Sequence, residues 1–293
     1  ELAAPNNRLA PHLKKRGMQM VRYARPDVSV TYFNMEDPVV GGYSATKVAL
    51  RRAISLGVDQ EREVRLVRRN QAIRAQGLIA PGTWGYSAEF RSEMGSYDPA
   101  RAKALLDMNG YVDRDGDGWR DLPDGQPLLL EIATQPDQQS RELDEQWRKN
   151  MTALGIRTHF RPAKWPENLK ASTAGKLMMW NYGWLSATPD GSPFLSLGYG
   201  PTKGQSNKSR FDLPAFNELF AAQLVLPNGP ERQEAMDAAQ KLMVAYMPVK
   251  AHVHRVYTDL AQPWVLGYDR NPFLRQAWSW IDIDTDMQTR LAR

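Results

Sequence analysis

Apolar and polar residues recur along the chain with two different periods, and each change of period marks a predicted element. Residues 28–33 alternate every second position, which is typical of a strand. From Ser44 to Gly57 the apolar residues fall at helical spacing, and the Ser44 hydroxyl can accept a hydrogen bond from an amide of the first turn. Asp59 is placed to begin a second helix, through Val67, in the same way.

The middle of the chain alternates between helix-like and strand-like segments. Asp98, Pro99 and Gly110 are the cap, the first-turn proline and the terminating glycine of a short helix. The segments that follow are a strand at 128–134, a helix at 140–153, a strand at 156–160, a helix at 167–174 and a strand at 177–182. This alternation predicts βαβ units and an α/β fold whose sheet is covered by helices.

Helical and strand patterns also occupy the last third of the chain. Two amphipathic helices at 214–225 and 230–246 precede a strand at 249–256. The final segment contains Trp278 and Trp280 and is too apolar for a free chain end, so we expect it to pack against another surface.

Composition excludes several classes of protein. The 293 residues are 42% hydrophobic and 24% charged, which is ordinary for a globular fold and excludes a disordered or fibrous chain. The net charge is +5, but the basic residues form short clusters among acidic ones, so nucleic-acid binding is not favoured. The chain has no cysteine, which removes disulfides, cysteine-bound metals and thiol nucleophiles. No apolar run approaches the ~20 residues that a membrane span needs.

An Asp-Gly segment resembles a calcium-binding loop. Carboxylates stand at positions 1, 3, 5 and 9 of an EF-hand-like pattern, in Asp113, Asp115, Asp117 and Asp121. Gly118 occupies position 6, but position 12 is Asp124 instead of glutamate, and Arg120 brings a positive charge to position 8. The segment is therefore either a weak calcium site or a plain Asp/Gly turn. A calcium-dependent interaction module that uses residues 113–124 is the alternative function.

Catalytic patterns are missing from the sequence. It has no Gly-x-Ser-x-Gly elbow, phosphate loop or dinucleotide-binding pattern. His252 and His254 are two residues apart in a predicted strand and project from one face, but no third metal ligand accompanies them, so a structural or an exposed pair is favoured over a metal site. We expect no enzyme activity, and a hydrolase with an unrecognised carboxylate pair is a lesser alternative.

Aromatic residues crowd one strand end. Trp180, Tyr182 and Trp184 stand there, and the loop 185–191 follows and leads to Phe194. The rings either fill the core or form an aromatic wall against a ligand. A position at the carboxyl end of a strand in an alternating α/β pattern favours the wall.

Ordered motifs along the whole chain resemble those of the oligopeptide/dipeptide-type (family 5) extracellular solute-binding proteins of ABC transporters. The motifs are FNMEDP at 33–38, VALRRAISLGVD at 48–59, YDPARAKALL at 97–106, GY at 110–111 with the Asp-Gly run, LGI at 154–156, GW at 183–184 and NKSRFDLPAFN at 207–217. Several motifs in consistent order are more specific than any one of them.

The resemblance implies a periplasmic-binding-protein-like (type II) fold, with a large lobe of mixed sheet flanked by helices and terminal pieces of a second lobe. Residues 1–45 are then a remnant of domain I and the hinge, 46–267 the large C-terminal lobe, and 268–293 a return segment to domain I. The family carries a secretion signal and further N-terminal sequence, so the chain is expected to be a C-terminal portion of a periplasmic protein.

The family's function is implied in the same way: a substrate-binding component of an ABC importer that binds a peptide or other small solute between two lobes. It delivers the solute to an inner-membrane permease, performs no covalent chemistry and needs no cofactor. The expected solute-binding residues are Trp180, Tyr182, Trp184, Ala187, Asp190 and Phe194. Trp184 matches the pocket tryptophan, but the aspartate that pairs with a peptide's α-amino group falls on Ala187, which puts ordinary peptide binding in question unless Asp190 substitutes.

Overall fold

A mixed seven-stranded sheet organises the structure, a computed structural model that describes residues 8–93, 95–274 and 276–291. The strands are β1 (Gln19–Ala24), β2 (Asp27–Phe33), β3 (Ala72–Arg74), β4 (Leu129–Thr134), β5 (Arg157–Pro162), β6 (Met179–Leu185) and β7 (Val249–Ala261), with a separate pair β8 (Val265–Leu266) and β9 (Asp282–Ile283). The order is β1-β7-β2-β6-β4-β5, and β3 also pairs with β7. Of these strand pairs, β4–β5 and β4–β6 are parallel and the others are antiparallel.

Helices cover the sheet, as the sequence predicts. They are α1 (Pro11–Lys15), α2 (Ala45–Leu56), α3 (Gln60–Arg62), α4 (Pro99–Met108), α5 (Gln138–Ala153), α6 (Trp165–Thr173), α7 (Ser192–Leu195), α8 (Pro214–Val225), α9 (Pro230–Tyr246) and α10 (Thr285–Leu291). A π-helical turn, Glu63–Val67, continues α3, and 3₁₀ turns occupy Ser196–Gly198, Gly200–Thr202 and Ala277–Trp280. No helix among the described residues is long and apolar enough to cross a membrane.

The three predicted helix caps are confirmed. The side chains of Ser44, Asp59 and Asp98 each accept a hydrogen bond from the backbone amide three residues later, at the starts of α2, α3 and α4. α5 begins earlier than predicted because Asp137 accepts a hydrogen bond from the amide of Ser140. β7 runs five residues beyond its predicted end because β1 pairs with its second half.

Alternating side chains of the central strands enter two apolar clusters, one on each face of the sheet. Val28, Val30 and Tyr32 of β2 pack in the first, with Trp180 of β6. The second cluster contains Phe33 and includes apolar residues of α2, α4 and α5. All seven residues of β2 are buried, since both faces are covered and β6 and β7 flank the strand.

The proposed domain boundary at residue 45 crosses this sheet. β2 lies before the boundary, yet it pairs along its full length with β6 and also with β7 on the other side of the boundary. The division into 1–45, 46–267 and 268–293 stays a prediction. In the last segment β9 pairs with β8, but the side chains of Trp278 and Trp280 are 78% and 71% exposed, so these two rings are not packed against the described residues as expected.

Candidate functional site

One edge of β6 is open at its carboxyl end. β4 pairs with β6 only at Met179 and Trp180, and within the described parts of the chain no strand pairs with residues 181–185 on that side. The hydrogen bond from the Ser186 amide to the Pro26 carbonyl, 3.0 Å, shows that the even-numbered residues direct their backbone groups toward β2. The amides and carbonyls of Gly183 and Leu185 therefore point to the open edge.

This open edge lies where ligands commonly bind in α/β proteins. The parallel strands β4, β5 and β6 end at Thr134, Pro162 and Leu185, so their following loops meet at the same end of the sheet. A crevice outside the carboxyl ends of parallel strands is the usual ligand position in such sheets.

Three of the predicted aromatic site residues lie in the core beneath this edge. Trp180 and Phe194 are fully buried, and Tyr182 is nearly so and stacks on Trp180 with ring centroids 5.2 Å apart. Trp184 is half-buried, meets Tyr182 edge to face, and its indole Nε1 donates to the Pro193 carbonyl at 2.8 Å. Of these four side chains, Trp184 alone offers a partly accessible ring, and contact of any of them with a solute stays a prediction.

Asp190 is engaged inside the protein. Arg232 donates to both carboxylate oxygens, from Nη1 to Oδ2 at 2.7 Å and from Nη2 to Oδ1 at 3.1 Å, and the amide of Ser192 donates to Oδ1 at 2.8 Å. Burial alone would raise the pKa of Asp190, but the bonds from Arg232 and Ser192 overcome it and hold the pKa below its usual value. Ala187 is exposed and brings no charge.

A positively charged cluster that the sequence analysis missed lies beside Gly183. The buried carboxylate of Asp27 accepts hydrogen bonds from Nε and Nη2 of Arg255 at 2.8 and 2.7 Å, and Nε of Arg25 lies 3.6 Å away. The guanidinium of Arg255 extends past β2 to β6, where Nη2 lies 3.0 Å from the position that a Cβ on Gly183 would take. No motif marks Arg255, because its neighbours come from distant parts of the chain.

A polar row continues along the same face of the sheet. Asn181 of β6 contacts Ser29 of β2, whose hydroxyl also lies 3.3 Å from Nη2 of Arg68. Arg68 reaches Gln139, at the start of α5, with Nη1 at 3.1 Å. The side-chain nitrogen of Asn181 is buried and has no hydrogen-bond partner among the described residues.

The predicted metal loop lies at the opposite end of the parallel strands, since Asp117 pairs with Arg157 at the start of β5. Oxygens of Asp113, Asp115 and Asp117 come within 4.8 Å of one another, but all three side chains accept hydrogen bonds from amides of their own loop. The predicted fourth ligand, Asp121, is buried and accepts from the Arg114 amide at 2.9 Å. Calcium binding here stays a prediction.

The two histidines are buried structural residues. Nε2 of His252 lies 2.9 Å from the Thr31 hydroxyl, and its Nδ1 lies 3.4 Å from Glu63. Nδ1 of His254 lies 2.8 Å from the Asp27 carbonyl oxygen, which therefore accepts a hydrogen bond from the ring. Burial lowers the pKa of both rings. Within the described residues, neither histidine belongs to a group of three possible metal ligands.

Comparison with known proteins identifies relatives along most of the chain. The family model described as bacterial extracellular solute-binding proteins, family 5 Middle, matches residues 2–206. Heme-binding protein A of Haemophilus influenzae is 27% identical over 239 residues, 81% of this chain and 42% of the relative. Di/tripeptide-binding protein 2 of Pseudomonas aeruginosa is 28% identical over 239 residues, 80% of this chain and 42% of the relative. The chain thus spans less than half the length of these two relatives.

Solved structures share the fold. HbpA2 from Haemophilus parasuis superposes with a TM-score of 0.78 at 19% identity, covering 93% of this chain and 51% of that one. The oligopeptide-binding protein AppA from Bacillus subtilis, in complex with a nonapeptide, gives a TM-score of 0.77 at 16% identity, covering 92% and 53%. The predicted type II architecture is confirmed by these neighbours.

Proposed function

Because the chain belongs to the family 5 bacterial extracellular solute-binding proteins, we propose that it forms one wall of the solute cleft in the substrate-binding component of an ABC importer. The observation that carries this proposal is the open edge of β6. It presents backbone donors and acceptors that pair with no strand among the described residues, beside the half-buried ring of Trp184 and at the end of the sheet where α/β proteins bind ligands.

An extended ligand suits this edge. A peptide that adds to a sheet edge gains main-chain hydrogen bonds, while neighbouring side chains determine its specificity. The backbone groups of Gly183 and Leu185 supply that ladder, and Trp184 supplies an apolar surface for a side chain. The related proteins are named for heme and for di- and tripeptides, so we propose a peptide or another small solute of comparable size.

Recognition of a peptide's α-amino group by this wall is not part of the proposal. Ala187 has no carboxylate, and Asp190 does not replace it because Arg232 and Ser192 already occupy both of its oxygens. A peptide's α-ammonium group that is buried without a charged acceptor lacks a charge-assisted hydrogen bond, which is stronger than a neutral one. The solute is therefore held here by its backbone or by other groups.

The other parts of the function are inferred from the family. We propose that the protein works in the periplasm, releases its solute to an inner-membrane permease, catalyses no reaction and binds no nucleic acid. We do not favour the calcium-dependent module, because the three carboxylates that lie close together in the loop already bond to the loop's own amides.

Amide chemical shifts test the proposal on the 293-residue chain, because they report weak binding and its location together. Titration of ¹⁵N-labelled protein with millimolar Ala-Ala-Ala is expected to shift Gly183, Leu185 and the Trp184 indole. Leu185→Pro removes a donor from the open edge and should abolish the shifts, while Leu185→Ala keeps the amide and should preserve them. Shifts confined to other surfaces, or equal binding by both variants, would contradict the proposal.

A further inference from the structure

The space beside Gly183 is occupied by an arginine from another strand. A Cβ on Gly183 would stand 3.0 Å from Nη2 of Arg255, 3.6 Å from Cζ and 3.9 Å from Nη1. The absence of a side chain on Gly183 therefore lets the guanidinium lie directly over the backbone of β6. The Arg255 side chain is 32% exposed, so a ligand at this edge would cover part of a charged group.

The charges around this position sum to a positive value. Asp27 carries one negative charge, and Arg25 and Arg255 carry two positive charges, so the three side chains have a net charge of +1. Asp190 is balanced by Arg232 and brings no further negative charge to the edge. The histidine packed against Asp27, His254, has a pKa lowered by burial and stays neutral at pH 7.

Hydrogen-bond donors also converge on this position. The amides of Gly183 and Leu185 point to the open edge, and the side-chain nitrogen of Asn181, two residues before Gly183 on the same face, has no partner among the described residues. Covering an arginine with a neutral ligand leaves its charge partly desolvated, whereas an anionic group forms charge-assisted hydrogen bonds with it. The surroundings of Gly183 thus favour a ligand that brings negative oxygen atoms.

We propose that Arg255, which can lie over β6 because Gly183 has no side chain, binds a carboxylate group of the solute at the open edge of β6. This inference rests on the proposed function and specifies the chemical class of its ligand. Arg255 is then a specificity-determining residue, and the charge preference of this wall is opposite to that of a site that anchors an α-ammonium group.

Tripeptides that differ by one charge provide the test. Ala-Ala-Ala and its C-terminal amide differ only in the carboxylate, and N-acetyl-Ala-Ala-Ala removes the amino charge. We expect amidation to weaken binding to the unmodified chain about tenfold, the usual effect of one charge-assisted hydrogen bond, and acetylation to change it little. Ala-Glu-Ala-amide distinguishes a side-chain carboxylate from a terminal one, because it should regain affinity only if the site accepts a side-chain carboxylate.

Two variants locate the effect. Arg255→Gln removes the charge. Gly183→Val keeps both charges but places its side chain where the guanidinium now lies, since even a Cβ there would stand 3.0 Å from Nη2. Both variants should abolish the difference between the acid and the amide. Arg157→Gln is a matched control, since Arg157 also pairs with an aspartate and is 35% exposed, but it lies at the other end of the sheet. Gly183→Val keeps the test valid if Arg255→Gln unfolds the protein.

The outcomes separate this inference from the proposed function. If no tripeptide shifts the amides of β6, the proposed function fails. If tripeptides bind there but the acid and the amide bind equally, the carboxylate site is refuted and the cleft wall remains supported. The same conclusion follows if amidation lowers the affinity for both variants as much as it lowers the affinity for the unmodified chain. An acetylated peptide that loses more affinity than the amide also refutes it.

Discussion

The pair between Asp190 and Arg232 allows a structural aspartate to be distinguished from a ligand-binding one. We predict that Asp190→Asn destabilises the protein without weakening solute binding. The Arg232 side chain is 9% exposed and also donates to Ser192, to Gln223 and to Asn228. It is therefore fixed in place whether or not a solute is present, and Asp190 supplies its only carboxylate among the bonds described.

The expected size of the effect follows from these bonds. The Nδ2 of asparagine is a donor and cannot accept from Arg232, so one of the two Arg232 bonds is lost; a hydrogen bond to a charged group contributes about 1.5–3 kcal/mol, and the loss is therefore roughly 2 kcal/mol. The amide oxygen of asparagine still accepts the bond from the Ser192 amide, and the 30% exposure of Asp190 keeps the loss below that of a fully buried pair.

Urea denaturation at neutral pH measures this free energy of unfolding, and Asp117→Asn is the matched control. Asp117 pairs with Arg157, with the two side chains 39% and 35% exposed, so the same substitution there should cost less than about 1 kcal/mol. Because the folded-state pKa of Asp190 is lowered, the ionised carboxylate contributes fully to the free energy of unfolding at neutral pH. This contribution is lost as pH falls from about 4 through the folded pKa. The difference between Asp190→Asn and the unmodified protein should therefore shrink in acid.

Two results would refute this reasoning. Unchanged stability of Asp190→Asn would mean that the bidentate pair contributes nothing. A tenfold loss of tripeptide affinity at unchanged stability would mean that Asp190 faces the solute and that Arg232 does not sequester it.

Three further predictions follow from other contacts. Ala187→Asp should introduce an acceptor for an α-ammonium group, so that Ala-Ala-Ala binds about tenfold more tightly than N-acetyl-Ala-Ala-Ala. Ala187→Asn is the neutral control. Equal affinities of the two peptides for the aspartate variant would show that position 187 lies outside the cleft. Burial lowers the pKa of Lys250 to about 7, with Glu63 partly opposing the shift. The unfolded chain then binds more protons than the folded one between pH 7 and about 10, so the free energy of unfolding should rise with pH over that range. In Lys250→Met this free energy should stay level. Urea denaturation at several pH values measures both. Because the carboxylates of the 113–121 loop already bond to its own amides, 1 mM calcium should raise the melting temperature by less than about 1 °C, and a rise that grows with calcium concentration would support the calcium site instead.

The sequence determined the elements whose interactions are local. Ser44, Asp59 and Asp98 cap their helices through amides three residues away, so a short window of sequence contains both partners of each bond. The Asp-Gly loop is local in the same sense. The ordered motifs indicated the family, and with it the type II fold, because they extend over the whole chain.

The candidate site was predicted only in part. The position of Trp184 at a strand end and the absence of a carboxylate at Ala187 could be seen in the sequence. The burial of Trp180, Tyr182 and Phe194 could not, because a wall and a core require the same aromatic residues. The ion pair of Asp190 could not be seen in the sequence either, since its partner Arg232 lies 42 residues away.

Only the tertiary structure decided which strands meet. The alternation in β2 is equally typical of a strand with one face in water, but pairing with β6 and β7 buries all seven of its residues. The same pairing brings Asp27 to Arg255, 228 residues later, and places that arginine over Gly183. Periodicity specifies which face of a strand is apolar but not which strand lies beside it, and the charge at the open edge depends on that neighbour.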